Sequence, residues 1–144
     1  MKISTKGRYA LRLMIYIAAN SNGKPVSITD VAKNEDISDK YLEQIISILN
    51  SGGLVRSVRG PQGGYLLRKA PEDITVGAVL RLTEGTLAPV ACVEEDAPEC
   101  ERESICSAYN LWKQLYSAIC SVVDTTTIAD LCNSRPEAGD EYCI

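Results

Sequence analysis

Three cysteines, Cys92, Cys100 and Cys106, fall within one short stretch that also carries the acids Glu94, Glu95, Asp96, Glu99, Glu101 and Glu103. Thiolates are the soft ligands that iron–sulfur clusters take. Core packing does not account for three thiols in so polar a segment, and Pro89 and Pro98 keep it irregular. The neighbouring acids work against the same chemistry, because they repel a cluster that is already anionic. Cys120 and Cys132 lie on apolar helical stretches and are expected in the core, and Cys143 follows near the end of the sequence. There is no His among the 144 residues and no Cys-Xaa-Xaa-Cys pair. Ser–His and Cys–His catalysis and dithiol oxidoreductase chemistry are thereby excluded, and no enzymatic activity is expected.

A second set of polar residues suits nucleic acid. Ser38 is placed to cap a helix in which Leu42, Ile45, Ile46 and Leu49 point inward. Asp39, Glu43 and Ser47 then share the opposite face, with Tyr41 in the first turn and Lys40 and Gln44 in the adjoining row. Amide, carboxylate and ammonium groups on one exposed face match the donor and acceptor edges of bases in a major groove. Alternation over 54–58 and return at 65–67, with a Gly60-Pro61-Gln62-Gly63-Gly64 turn between, predict a hairpin directly after that helix. Arg56, Arg59 and Gly60 sit where such a wing meets a backbone or a narrow minor groove, with Arg68 nearby. No Lys-Ser/Thr pair follows the glycines, so they do not form a phosphate loop.

Charge divides the same way. Residues 1–70 hold 11 Lys and Arg against 5 Asp and Glu, whereas residues 71–144 hold 4 against 14. A basic first half inside a chain of net charge −4 is the footprint of a phosphate-binding lobe.

The elements that position these residues follow from periodicity. A first amphipathic helix runs from Thr5 to Asn20, a second begins after Ser27 with Asp30 completing a capping box, and the third follows Ser38. Together they predict a mostly α, winged helix-turn-helix domain over residues 1–85, closed by a short helix capped by Thr75 and ended by Gly85. An acidic, cysteine-containing linker covers 86–103. A long helix from Ser104 to Asp124 places Ile105, Ala108, Trp112, Leu115, Ile119 and Val122 at alternating spacings of three and four, a heptad seam read as a dimer interface. A short return helix with Thr127 and Asp130 at its start completes the 104–132 dimerisation region, and 133–144 read as a mobile tail. Lys2, Lys6 and Arg8 precede an apolar run as in a signal peptide, but Arg12 interrupts it, and no run approaches a membrane span. The expectation is a cytoplasmic protein with its thiols in a reducing compartment.

Residues 1–10 (Met-Lys-Ile-Ser-Thr-Lys-Gly-Arg-Tyr-Ala), Tyr41-Leu42-Glu43-Gln44 and the 59–67 segment (Arg-Gly-Pro-Gln-Gly-Gly-Tyr-Leu-Leu) resemble the IscR-type winged-helix regulators, a family that includes the CymR-type cysteine-metabolism repressors. The resemblance covers residues 1 to about 132. It implies a homodimeric repressor of promoter DNA that senses iron–sulfur status through a cluster, 2Fe–2S ahead of 4Fe–4S, held by Cys92, Cys100 and Cys106. Seven residues separate the first two cysteines and five the last two, and Tyr109 stands where cluster-binding members carry a fourth ligand, His. Arg8 occupies the position from which some members supply an acidic ligand to the partner chain. Glu99, Glu101, Glu103, Ser107 or water stay open as the fourth ligand. The alternative the resemblance offers is a cluster-free repressor of cysteine and sulfur metabolism, controlled by a cysteine synthase that docks on the terminal Ile144.

Overall fold

The computed structural model describes residues 2–134. Helix α1 (Thr5–Asn20) starts where Ser4, in extended conformation, accepts the Gly7 N–H on its hydroxyl at 3.1 Å. Its positions Ala10, Leu13, Met14 and Ile17 recur at helical spacing and are all buried, so α1 is the post around which the domain packs. Helices α2 (Ile28–Glu35) and α3 (Asp39–Ser51) lie against it, burying Val31, Ala32, Leu42, Ile45, Ile46 and Leu49. Each large apolar side chain withdrawn from water there contributes about 1.5–3 kcal/mol. Ser27 and Ser38 cap the two helices, their hydroxyls each 3.2 Å from the N–H of Asp30 and Tyr41. Only the Ser27 half of the expected capping box is formed, whereas Thr127 and Asp130 form both halves of theirs. Between α2 and α3, Asp36 takes a left-handed conformation (φ 53°), which a short polar side chain tolerates, and Ile37 drops into the core.

The hairpin is a short antiparallel pair, β1 (Val55–Val58) and β2 (Gly64–Leu67), in register Val55 to Leu67 and Val58 to Gly64. Gly60 turns the chain at φ 118°, a conformation L side chains rarely adopt. Gly64, expected in the turn, belongs to the strand. Tyr65 exchanges both backbone hydrogen bonds with Val26, at 2.8 and 3.0 Å, so the segment before α2 adds a third edge to the wing. A Cβ on Gly64 would lie 2.3 Å from the Val26 carbonyl oxygen, which is why this position has none.

Helix α4 (Val76–Glu84) begins at Thr75, which accepts the Ala78 N–H, and ends at Gly85. Short 3-10 turns at Ala91–Val93 and Glu103–Ile105 punctuate the linker. Helix α5 (Tyr109–Val123) corrects the expected start at Ser104. Ile105 closes a 3-10 turn onto Arg102, Cys106 is extended (φ −82°, ψ 111°), and the helix begins only after Ala108. Ile105 and Ala108 therefore precede the helix, and the predicted seam is not continuous. Helix α6 (Ile128–Asn133) returns to the first domain: Ile128 is buried, its N–H is 2.9 Å from the Ile74 carbonyl, and Val76 N–H is 2.9 Å from that of Thr126. Asn133, assigned to the tail by sequence, completes α6; Arg135 and the residues after it lie outside the described residues. No helix among the described residues is long and apolar enough to cross a membrane.

Candidate nucleic-acid interface

Helix α3 buries one face in the core and leaves Ser38, Lys40, Glu43 and Gln44 exposed along the other. Ser38 spends its hydroxyl as the helix cap. Tyr41, named with them from the sequence, is half-buried, edge-on to Tyr9 of α1, with ring centres 5.7 Å apart and planes at 75°. On the wing, Arg56, Arg59 and Gly60 are exposed beyond the end of α3, and the structure shows no ion pair to Lys40, Arg56 or Arg59 among the described residues. Arg68 serves the scaffold, donating from Nε to the Val55 carbonyl at 2.9 Å. Three cations and an amide thus face solvent from a rigid helix and a braced hairpin, the combination that holds a duplex backbone and reads base edges. Lys24, Ser27 and Asp30 join Pro61 and Gln62 around an open cavity of about 370 Å³ between the wing turn and the start of α2. Sequence reasoning missed this junction, because the Val26–Tyr65 pairing that builds it leaves no local pattern.

Away from that face, Cys92 and Cys100 line one cavity of about 180 Å³ together with Glu99, Glu103, Tyr109 and Lys113. Burial pushes the Tyr109 hydroxyl above its ordinary value, and Glu103, Cys92 and Cys100 push it the same way. Lys113 Nζ sits 5.5 Å from the centre of the Tyr109 ring. Cys106 is exposed and does not line this cavity. Among the described residues no three His, Cys, Asp or Glu side chains are arranged to hold a metal ion. The donor chemistry suits an iron–sulfur cluster; Cys92 and Cys100 line one cavity, and Cys106 lies outside it. Cys120 is half-buried beside Arg81, whose Nη2 is 3.7 Å from its Sγ, and Cys132 Sγ contacts the Ile15 carbonyl at 3.7 Å.

The predicted interface residues separate into two faces. Leu115 (41% exposed) and Val122 (63%) point outward with Leu111 (57%) along one stripe of α5. Ile119 turns inward with Tyr116 and Val123 onto Val76, Leu80 and Leu87 of its own chain, while Trp112 is half-buried. Ile105 is 69% exposed on its 3-10 turn.

A helix-turn-helix followed by a braced two-stranded wing defines a winged-helix regulator. Residues 3–134 match the Rrf2 family, described as iron-dependent transcriptional regulators, and the chain belongs to that family. It is 41% identical over 142 residues to the HTH-type transcriptional regulator CymR of Bacillus subtilis, covering 99% of this chain and 97% of that one. It is 38% identical over 135 residues to the HTH-type transcriptional regulator IscR of Yersinia pseudotuberculosis, covering 94% and 81%. The solved structure of CymR, the global cysteine regulator of B. subtilis, superposes with a TM-score of 0.78 at 40% identity, over 94% of this chain and 99% of that one. T. potens IscR superposes at 0.75 with 33% identity, over 99% and 94%. These relatives are transcriptional regulators, not enzymes, and this chain is a transcriptional regulator with their mostly α, winged-helix fold.

Proposed function

We propose that the protein is a cytoplasmic, homodimeric repressor that binds promoter DNA through α3 and the wing and responds to iron–sulfur status through Cys92, Cys100 and Cys106. The observation that carries this reading is the convergence of Cys92 and Cys100 on one cavity beneath Tyr109, the first residue of α5. Cys106 lies just before that helix, on a segment that is not helical. A ligand that gathered all three thiols would therefore act on the start of α5, whose exposed stripe of Leu111, Leu115 and Val122 would pair two protomers in this reading. Dimer geometry sets the spacing of two recognition helices, so a change there alters operator affinity, and by linkage DNA alters ligand affinity equally. Cys92, Cys100 and Cys106 would hold the cluster, which would supply iron as their shared coordination centre. The test is duplex binding by protein treated anaerobically with iron and sulfide, compared with untreated protein. A difference that disappears in the triple Cys→Ala variant supports the reading; identical binding in all three samples contradicts it.

A second reading is favoured by the likeness to CymR and by the exposed, unconverged Cys106. In it the protein represses cysteine and sulfur metabolism without a cluster and is controlled by a cysteine synthase. Ile144, the docking residue it requires, lies outside the described residues. Co-elution with cysteine synthase that is lost on deleting Ile144, from colourless protein, would favour it.

A further inference from the structure

Four side chains at the junction of the first three helices form one continuous series of contacts. Arg12 of α1 donates from Nε to Glu35 Oε2 at 2.9 Å and from Nη2 to the Glu35 backbone carbonyl. Glu35 is the last residue of α2, immediately before the left-handed Asp36 that turns the chain toward α3. The same guanidinium lies over the Tyr9 ring, its Cζ 5.2 Å from the ring centre, and Tyr9 in turn meets the Tyr41 ring edge-on in the first turn of α3. The end of α2 and the start of α3 are thus both referred to one face of α1, on either side of the turn. None of the three larger side chains is a core plug, since Tyr9, Arg12 and Tyr41 are all partly exposed.

The chemistry of each link limits what can replace it. A planar guanidinium reaches a carboxylate and a carbonyl at once while presenting its face to an aromatic ring, which an ammonium cannot do. The edge-to-face contact needs a ring at position 9 but not its hydroxyl.

We infer that Tyr9 and Arg12 are positioning residues for DNA recognition: through Glu35 and Tyr41 they fix the angle between α2 and α3, and so the register of Lys40, Glu43 and Gln44 against base edges. This rests on α3 being the helix that reads DNA. Small rotations of a recognition helix misplace base contacts, whereas phosphate contacts by flexible cations adapt. The consequence is a loss of discrimination larger than the loss of binding.

The test uses a duplex that the wild-type chain enriches from a randomised pool, with unselected random duplex as the second probe. Tyr9→Leu is expected to lose roughly tenfold on the enriched duplex and less than about twofold on the random one. Tyr9→Phe should restore the wild-type ratio. Arg12→Lys, a change at a partly exposed site that keeps the charge, should lose discrimination in the same sense and keeps the proposal testable if Tyr9→Leu folds poorly. Urea midpoints of each variant are measured alongside. Equal losses on both probes that follow the urea midpoint would overturn the inference, because a purely structural role lowers the folded fraction alike for either DNA. Gln44→Ala separates the layers. If Gln44→Ala loses discrimination while Tyr9→Leu and Arg12→Lys keep it, positioning alone is refuted; if Gln44→Ala also keeps it, the reading of α3 and the inference built on it fall together.

Discussion

Arg81 and Asp124 face each other across the junction of α4 and α5 as a two-pronged ion pair, Nη1 to Oδ1 at 2.5 Å and Nη2 to Oδ2 at 2.9 Å. The hydrogen bond from Arg81 holds the Asp124 carboxyl below the usual carboxylate value. Its folded-state pKa is depressed, so the pair stabilises the fold above the ordinary carboxylate range and loses that contribution as pH falls through the lower, folded value. Both side chains are more than a third exposed, which limits the worth of the pair to about 1 kcal/mol or less. Asp124→Asn is expected to lower stability by that amount at neutral pH. Urea titrations of wild type and variant should converge as the pH drops below the carboxylate range.

The Val26–Tyr65 pairing makes Gly64 a second point of control. Gly64→Ala sets a methyl group against backbone, not against a movable side-chain tip, and is expected to destabilise the protein by about 1–3 kcal/mol. The measurement is the urea midpoint, together with operator binding, which should weaken because the wing loses its brace on α2.

These two sites show what a sequence does and does not carry. The first three helices are legible because their apolar positions repeat at helical spacing and Ser27 and Ser38 mark the starts of the second and third; the Ser4 cap of α1 emerges only in the structure. The wing is legible from alternation, but the strand position of Gly64, opposite Val58, is not, because a glycine adds nothing to the alternation and the Val26–Tyr65 pairing beside it joins residues almost forty apart. The start of α5 is not legible, because Ile105 and Ala108 continue the heptad spacing while Cys106 is extended. Spacing alone also could not tell Ile119, which packs on its own chain, from Leu115, which points away. The sequence groups Cys92, Cys100 and Cys106 alike; that the first two line one cavity while Cys106 is exposed is seen only in the fold, because spacing along an irregular segment does not say which side chains meet.

The division of α5 into two faces gives opposite outcomes for two neighbouring changes. Leu115→Asp puts a charge on the exposed stripe and is expected to yield folded monomers with little change in urea midpoint. Ile119→Asp places the charge against Val76, Leu80 and Leu87 and should destabilise the protomer itself. Light scattering distinguishes them, and a Leu115→Asp protein that stays dimeric would remove this stripe from the interface.

On the DNA side, Arg59→Ala should weaken operator binding by about 1–3 kcal/mol. Gln44→Ala should cost less on random duplex than on operator, since base contacts specify and phosphate contacts position. Fluorescence anisotropy with both duplexes checks the pair, and equal losses on the two for Gln44→Ala would take it out of the base-reading set.

Whether the three thiols hold a cluster is read from the visible absorption spectrum of the full chain after anaerobic treatment with iron and sulfide. Charge-transfer bands are expected in the wild-type protein. These should be abolished or sharply weakened by Cys92→Ala, Cys100→Ala or Cys106→Ala and retained in Cys120→Ala and Cys132→Ala. A wild-type protein that stays colourless under those conditions, or bands that survive all three linker substitutions, would contradict it.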